Sequence, residues 1–393
     1  MKVGVRREPE PGEKRVAATP ESVAQLAAAG LSVIVERGAG EAAGFPDDLF
    51  TAAGAQIVDA VDLSAIDVLA HVRPLSTETV AKLHEGAITV GLASPASQAE
   101  TVRALRDARI TSFALELVPR ISRAQSMDAL TSQALVAGYR CVLEAAMRSP
   151  RFFPLFMTAA GTIPPAKVLV LGAGVAGLQA VATAKRLGAK VSANDVRAAS
   201  ADEVRSMGGQ FIDLELDTAD AGGGYAKELA TDRAARQQEL LTPYVAESDI
   251  VITTAAIPGR PAPRLVTSAM LAGMRPGSVI IDLAAESGGN VEGSVAGQDV
   301  AITVGGGSIT LVGMKDVAST MPYDASRLYA KNVANLIALM TAEGRVEPDF
   351  DDEVVAGACL THDGTVMHAP TRDALPAAGE APPSSASKKK GKN

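Results

Sequence analysis

The chain has 393 residues, of which 47% are hydrophobic and 3% aromatic, and it carries a net charge of −8. This length suits two domains of ordinary size, with cores built from alanine, valine, leucine and isoleucine. The acidic balance, without a basic face, argues against nucleic acid as a partner. Two cysteines and four histidines, none at metal-ligand spacing, predict neither a disulfide framework nor a metal site.

The beginning of the chain and its hydropathy both indicate a cytoplasmic protein. Strand-like sequence starts directly at residues 1–5, so no secretory signal peptide is predicted. No apolar run reaches the roughly 18 residues that a bilayer span requires. We therefore expect no membrane insertion of this chain.

Residues 1–120 alternate between short apolar runs and helical segments. The helix that follows Thr19 has a capping hydroxyl, a first-turn proline at Pro20 and an acid at Glu21, and Gly30 ends it. Repeated strand–helix–strand order predicts a parallel sheet with helices on both faces. The predicted strands are 3–5, 31–36, 55–58, 68–72, 87–92 and 110–114.

Two long helices, at 127–149 and 325–340, are predicted to connect this unit with a second one. Small and apolar residues recur at three- and four-residue spacing in the first of them, which is typical of a core stripe. We therefore predict an α/β fold with two Rossmann-like doubly wound domains, joined by two long helices, with a cleft between them. The predicted boundaries are 1–130 plus 330–370 for the first domain, 131–329 for the second, and 371–393 for a disordered tail.

A glycine-rich turn opens the second unit. Four apolar residues at 168–171 predict a strand, and they are followed by Gly172, Gly174 and Gly177 and then by a helical run. Gly172 makes the tight turn, Gly174 lets a pyrophosphate approach the backbone, and Gly177 permits close packing of helix on strand. The phosphates are expected at the helix N-terminus, beside Val175 and Ala176.

Asp195 follows the next strand, at the spacing of an acid that binds the adenosine ribose and repels a 2′-phosphate. The pattern predicts NAD(H) rather than NADP(H) as the cofactor. Val196 and Arg197 belong to the same candidate site, as do Thr254 and Ala255 after the strand at 249–253.

Other segments of the second unit carry candidates with open alternatives. Further strands are predicted at 211–214 and 278–283, with a strand pair at 300–304 and 309–312. Tyr225 lies in a triple-glycine loop and is either a lid residue or part of an exposed insertion. Asp282, Glu286 and Asn290 follow a strand near the expected nicotinamide side, and the sequence does not rank them.

The segment 119–128, which we call the 119–128 loop, combines cations, an amide and a carboxylate. It precedes the first long helix and is therefore expected to lie at the cleft, where polar groups orient a nicotinamide ring. Asp128 is equally well explained as the cap of that helix. Arg120 and Arg123 are either functional or solvated.

These segments resemble the soluble NAD(H)-binding alpha subunit, domain I, of proton-translocating NAD(P) transhydrogenases. The resemblance extends from residue 1 to about 368, and the 119–128 loop is its most specific region. The matching segments are 119–128, 158–162, 172–187, 223–228, 257–263 and 276–283.

The resemblance implies roles for individual residues. Arg120 and Asp128 match an arginine and an aspartate that hold the nicotinamide end of NAD(H), and Gln125 matches a glutamine that reaches toward the partner's NADP(H). Thr131 stands where a serine is usual and keeps the hydroxyl. Tyr225 matches the tyrosine of a mobile loop.

The resemblance also implies partners and a reaction. Hydride would pass directly between NADH on this chain and NADP⁺ on an NADP-binding beta subunit, coupled to proton translocation through a membrane-spanning subunit. The chain would form a homodimer and act only with these partners. It would lie in the cytoplasm, peripheral on the inner face of the plasma membrane. Hydride transfer needs orientation and a dry site rather than an acid or base.

An alternative is an NAD-dependent oxidoreductase like alanine dehydrogenase, which the chain resembles at 13–20, with Arg15 at the substrate-binding position. That family also uses a lysine and a histidine at strand ends, but residues 68–81 contain no lysine and residues 91–96 contain no histidine. Oxidative deamination needs a general base. His71 is a possible substitute, but its place inside a strand favours packing.

A third alternative is an NAD-binding protein without catalytic activity. It would bind NADH tightly without turnover, as an isolated domain I would also do. An NADP-binding partner encoded nearby would distinguish the two.

Overall fold

The described part of the chain forms two α/β units, each built on a β-sheet whose strands are mostly parallel. The computed structural model describes residues 1–214, 231–257 and 260–375, without the side chains of 231–233. No helix in these described ranges is long and apolar enough to cross a membrane. The His, Cys, Asp and Glu side chains of the same ranges form no group that could hold a metal ion.

The first unit is built on a parallel sheet. Its parallel strands are β1 (Lys2–Val5), β2 (Ser32–Glu36), β3 (Gln56–Val58), β4 (Val68–Ala70), β5 (Ile88–Gly91) and β6 (Thr111–Ala114). They lie in the order β3-β2-β1-β4-β5-β6, so the strand order reverses between β1 and β4. Such a reversal is where doubly wound sheets form a crevice at the carboxyl ends of their strands. The strands predicted for this region are confirmed.

Helices cover this sheet, and their ends follow local signals in the sequence. They are α1 (Pro20–Ala28), α2 (Asp47–Ala52), α3 (Thr77–Val80) and α4 (Ala99–Asp107). At the start of α1, the backbone N–H of Thr19 donates to the Ser22 hydroxyl and the Thr19 hydroxyl accepts from the Ser22 backbone N–H. Gly30 follows the helix with a φ of +85°. The predicted start and end of α1 are confirmed.

The long helix α5 (Ala129–Arg148) connects the two units. Its cap is Asp128, whose carboxylate accepts from the backbone N–H of Thr131 at 2.9 Å. Buried residues of its second half, including Cys141 and Ala145, belong to the core of the second unit. The predicted helix at 127–149 is confirmed.

The second unit contains a hairpin and a second sheet. The hairpin strands are β7 (Phe156–Thr158) and β8 (Gly161–Ile163), and the sheet strands are β9 (Lys167–Leu171), β10 (Lys190–Asn194), β11 (Gln210–Phe211), β12 (Ile250–Thr253), β13 (Val279–Asp282), β14 (Asp299–Val304) and β15 (Gly307–Gly313). The sheet order is β11-β10-β9-β12-β13-β15-β14, with β14 antiparallel to β15. The predicted strand pair is therefore confirmed as the edge of this sheet.

The helices of this unit are α6 (Val175–Arg186), α7 (Ser200–Ser206), α8 (Thr231–Glu247) and α9 (Ser268–Ala272). Helix α6 packs against α5 with almost no space between the two backbones. A Cβ added at Gly138 of α5 would lie 2.1 Å from the carbonyl oxygen of Ala176 in the first turn of α6. Only glycine permits this approach.

After the second sheet the chain returns to the first unit. The returning elements are α10 (Pro322–Leu339), β16 (Thr341–Ala342), β17 (Arg345–Val346), α11 (Glu353–Ala358), β18 (Cys359–His362), β19 (Thr365–Val366) and α12 (Ala369–Ala374). Strand β18 pairs antiparallel with β6, and Tyr329 and Val333 of α10 belong to the first unit's core. The tail predicted at 371–393 begins inside helix α12, whose first turn contains Pro370. Residues 376–393 lie outside the described region of the chain.

The carboxyl ends of the two sheets face each other. Arg73, just beyond β4, forms an ion pair with Asp316, just beyond β15. The backbone N–H of Asp316 in turn donates to a Glu286 carboxylate oxygen at 3.0 Å. This polar contact crosses between the units, as the predicted cleft requires.

The α5–α6 contact gives a first prediction. Because a methyl group at 138 would overlap the carbonyl of Ala176, we expect Gly138→Ala to lower the free energy of unfolding by about 1–3 kcal/mol. Urea denaturation measures this change. Gly305→Ala is the control, since a Cβ added at Gly305 meets nothing within 4 Å. Equal stability of both variants would contradict the importance of this contact.

Candidate dinucleotide-binding site

The glycine turn after β9 is a tight loop closed by its own backbone. Gly172 has a φ of +101°, a backbone conformation that residues with a side chain rarely adopt. A Cβ added at Gly172 would also lie 2.8 Å from the Thr254 hydroxyl oxygen. A Cβ at Gly177 would lie 1.8 Å from the Gly172 carbonyl oxygen. The geometry therefore agrees with a turn role for Gly172 and a close-packing role for Gly177.

The N-terminus of α6 is open. Gly174 caps the helix without any side-chain hydrogen bond, and a Cβ at Gly174 would meet nothing within 4 Å. Val175 is exposed and Ala176 half-buried. Backbone N–H groups in a first helical turn lack intrahelical partners, and the helix dipole favours an anion there. This end of the helix has the space and the donors that a pyrophosphate needs.

Asp195 lies beside this turn, and its carboxylate accepts several hydrogen bonds from the protein itself. Its carboxylate accepts from the backbone N–H of Ala173 at 2.7 Å and from the Arg197 backbone N–H at 2.9 Å and Nε at 3.0 Å. Arg197 also donates to the Ala173 carbonyl at 3.1 Å. Val196 is half-buried between them. The spacing in the sequence predicts that Asp195 repels a 2′-phosphate, whereas the structure pairs Asp195 with Arg197, whose positive charge reduces that repulsion.

The loop after β12 forms the neighbouring wall. The Thr254 hydroxyl donates to the Gly172 carbonyl at 3.0 Å, which ties this wall to the glycine turn. The Ala255 carbonyl accepts from the amide of Asn290 at 2.8 Å. These contacts place Thr254 and Ala255 next to the turn.

Two residues that the sequence left unranked brace this wall. Asp282 is fully buried and accepts from the Thr253 hydroxyl and from the backbone N–H groups of Ala284, Asn290 and Val291. The Asn290 amide donates to two carbonyls in the loop after β12. Both side chains act as internal braces. The sequence signal for Asp282 is a polar residue at the end of an apolar strand, and no local signal marks Asn290.

The 119–128 loop contains a 3₁₀ turn, Ser122–Met127, that leads into α5. Arg120 and Gln125 lie on its exposed side. Asp128 caps α5, as the capping interpretation predicts, and its other carboxylate oxygen accepts from the Thr131 hydroxyl at 2.6 Å. Arg123 pairs with Asp352 and is not simply solvated.

Helix α5 relates this loop to the glycine turn. Thr131 in its first turn precedes Gly138, which touches the first turn of α6, by two helical turns or about 10 Å. The two predicted groups of site residues are thus linked through two turns of one helix. Tyr225 lies outside the described residues.

A second polar cluster lies at the carboxyl ends of β1 and β4. Arg15 donates to Glu13 at 2.7 and 2.8 Å and to the Gln133 side chain at 2.8 Å. Burial alone would raise the pKa of Glu13, but the hydrogen bonds and charge of Arg15 lower it to about 2. Arg15 therefore has its donors occupied by protein groups.

His71 is fully buried in this cluster. Burial lowers its pKa to about 4, and its Nδ1 contacts the Arg73 carbonyl at 2.7 Å. A Cβ at Gly91 would lie 2.3 Å from the His71 carbonyl oxygen, so no space for a substrate exists on that side. The packing interpretation of His71 agrees with this environment.

The fold and this site define a class: α/β proteins of two units whose glycine turn and open helix N-terminus are suited to binding a dinucleotide. Within that class, two protein-family models match this sequence. The one described as "Alanine dehydrogenase/PNT, N-terminal domain" matches residues 4–137, and the one described as "Alanine dehydrogenase/PNT, C-terminal domain" matches residues 141–369.

Similarity to individual proteins distinguishes between the transhydrogenases and the alanine dehydrogenases that these two models cover. The first of the polypeptides that make up the NAD(P) transhydrogenase alpha subunit of Rhodospirillum rubrum is 47% identical over 385 residues, which cover 94% of this chain and 98% of the relative. The "NAD(P) transhydrogenase subunit alpha" of Cereibacter sphaeroides is 42% identical over 98% of this chain and 74% of its own length. The alanine dehydrogenase of Mycobacterium tuberculosis is 33% identical over 75% of each chain.

Comparison with solved structures gives the same result. A transhydrogenase from Sinorhizobium meliloti has a TM-score of 0.81 and 43% identity, covering 94% of this chain and 99% of its own. An L-alanine dehydrogenase with 24% identity and a TM-score of 0.78 shares the fold. The chain belongs to the NAD(P) transhydrogenase alpha-subunit family. This confirms the predicted family, the α/β fold class and, through that family, NAD(H) as the cofactor.

The site also generates a prediction about pH. Glu8 is half-buried as a residue, but its carboxylate points inward and accepts from the backbone N–H groups of Val72 and Arg73. Burial raises the pKa of Glu8 from 4.5 to about 7. Between these values the folded state binds a proton that the unfolded state releases, so stability falls as pH rises.

We expect the free energy of unfolding to fall between pH 4.5 and about 7 by about 2–3 kcal/mol because of Glu8. Glu8→Gln removes this contribution, while Glu10→Gln, at an exposed position, retains it. Urea denaturation at a series of pH values measures the slope. An identical slope in wild type and Glu8→Gln would contradict the assignment.

Proposed function

We propose that this chain is the NAD(H)-binding subunit of a proton-translocating transhydrogenase. Hydride passes directly between NADH on this chain and NADP⁺ on a partner subunit, and a membrane-spanning subunit couples the transfer to proton translocation. The observation that carries the proposal is the open N-terminus of α6, which α5 connects to the loop that exposes Gln125. The N-terminus of α6 is suited to holding a dinucleotide, and the Gln125 side chain is suited to contacting a second protein.

Each candidate residue has a role in this proposal. Bound NADH supplies the hydride. The N–H groups after Gly174 hold the pyrophosphate, and Asp195 binds the adenosine ribose. Arg120, Asp128 and Thr131 orient the nicotinamide end, and Gln125 offers both an N–H donor and a carbonyl acceptor across the interface. Tyr225 is proposed as a further cofactor-binding residue. Orientation of two rings lowers the barrier without an acid or base.

The polar cluster at Arg15 argues against the alternative of an alanine dehydrogenase. Its guanidinium is already bound by Glu13 and Gln133, and His71 is buried, neutral and closely packed. A substrate carboxylate would have to displace an internal ion pair, and no exposed base is offered by this cluster.

The experiment that tests the proposal uses membranes that hold the partner subunits and lack the native alpha chain. This chain is added back with NADH and a thionicotinamide analogue of NADP⁺, whose reduction is followed by absorbance. We expect rapid reduction only when this chain is present. If NADH binds but no reduction occurs, the chain is a non-catalytic binder. Oxidation of NADH by pyruvate and ammonia would instead identify an alanine dehydrogenase.

Asp195 provides a prediction about cofactor choice. We expect Asp195→Ala to weaken NADH binding by about 1–3 kcal/mol, because ribose hydroxyls lose their acceptor. The same change frees Arg197 beside the groove, so NADPH binds the variant better than it binds wild type. Titration of intrinsic nucleotide fluorescence measures both affinities. Asp202→Ala is the control, since Asp202 forms an exposed pair with Arg205 on α7. Unchanged NADH affinity in Asp195→Ala contradicts the site.

We further propose that the chain forms a homodimer and lies in the cytoplasm on the inner face of the plasma membrane, held there by its partner subunits. The dimer is supported by the hairpin β7–β8, whose apolar side chains face outward. Among them, Met157 is 77% exposed and Ile163 is 39% exposed, next to Phe152 at 56%. An apolar patch of this kind is typical of a protein interface.

The dimer proposal predicts the effect of charge on the hairpin. Met157→Glu places a carboxylate in the apolar contact, so we expect dissociation to monomers at micromolar concentration. Sedimentation velocity measures the mass. Leu49→Glu, at a 46% exposed position on α2, is the matched control and retains the mass of wild type. A dimer that survives the hairpin change must use another surface.

A further inference from the structure

The 119–128 loop is held by an ion pair from a distant region of the chain. The Arg123 guanidinium donates to both carboxylate oxygens of Asp352, with Nη1–Oδ2 at 2.9 Å and Nη2–Oδ1 at 2.8 Å. A second carboxylate, from Glu353, lies 3.4 Å from Nη2. Planar two-point contacts of this kind fix orientation as well as distance.

Asp352 is itself fixed. It caps α11, and its Oδ1 accepts from the backbone N–H of Val354 at 2.7 Å. The hydrogen bond from Arg123 lowers the pKa of Asp352 to about 2, so the carboxylate stays charged throughout the physiological range. The loop is thus tied to a helix terminus rather than to a mobile side chain.

The other end of the loop is held by α10. The Ser126 carbonyl accepts from the amide of Asn332 at 2.9 Å and from that of Asn335 at 3.0 Å. The Asn332 side chain is buried, and its carbonyl accepts from the Ser132 hydroxyl at 2.7 Å. Two donors on a single carbonyl leave this stretch of the backbone little freedom.

Apolar contacts complete the attachment. Ala124 and Met127 are buried in the core of the first unit, while the neighbouring Gln125 stays exposed. Pro119 packs over Gly357 of α11, where a Cβ would lie 3.1 Å from the proline ring. The loop therefore presents Gln125 outward from a backbone that is fixed on both sides of it.

We propose that the Arg123–Asp352 pair positions the 119–128 loop for hydride transfer, so that Gln125 and Arg120 meet the two nicotinamide rings in one arrangement. This inference rests on the proposed function. Arg123 is a positioning residue, since it faces α11 and acts through the loop. An ion pair as exposed as this one contributes little to global stability. Its effect is therefore expected in the rate of transfer, where small displacements of reacting groups are costly.

The test compares three variants in the reconstituted complex. Arg123→Gln removes the cation, and Asp352→Asn removes the partner charge while keeping a residue that caps helices well. Arg109→Gln is the matched control, because Arg109 forms a similarly exposed ion pair with Glu85, at the opposite end of the first sheet. For each variant we measure the rate of analogue reduction at saturating NADH, the Kd for NADH and the thermal midpoint.

We expect Arg123→Gln and Asp352→Asn each to slow transfer about 10- to 100-fold while the Kd for NADH changes less than twofold. Arg109→Gln keeps the wild-type rate. Transfer at the wild-type rate in both loop variants overturns the inference. Equal losses of rate and NADH affinity also overturn it, because the pair would then support the domain as a whole. If Arg123→Gln fails to fold, Asp352→Asn decides. Absence of transfer in wild type would instead refute the proposed function.

Discussion

The contact between α5 and α6 is the constraint on which the rest of the site depends. Gly138 brings the backbone of the connecting helix to within touching distance of the Ala176 carbonyl, in the turn that offers its N–H groups to a phosphate. Because α5 also begins at the 119–128 loop, a single helix sets the spacing between that loop and the glycine turn. No loop has to span that distance, so the geometry is fixed before any ligand arrives.

Much of this architecture can be predicted from local signals. Gly172, Gly174 and Gly177 are readable because their roles depend on backbone sterics within a few residues, and the strands are readable from short buried apolar runs. The cap at Thr19 and the end at Gly30 are equally local. The homologous proteins confirm the family and cofactor that the 119–128 loop and the glycine turn indicate.

The features that cannot be predicted this way involve side chains that pair across the fold. Nothing local matches Arg123 with Asp352, 229 positions away, or shows that Asp282 and Asn290 brace a loop instead of binding a ligand. Asp195 and Arg197 are close enough in sequence for their pairing to be found, but the spacing rule for the acid takes no account of its neighbour. Pairing of charges depends on side-chain direction, which periodicity does not report.

The return of the chain to its first unit determines when the site can be completed during synthesis. A ribosome releases the N-terminal strands, the 119–128 loop and then the whole second sheet before it releases α10 and α11. Until then the loop lacks Asn332, Asn335 and Asp352, so the dinucleotide sheet can assemble while the loop is still unanchored. A nascent chain can thus complete the sheet of its second unit before the 119–128 loop acquires the residues that anchor it.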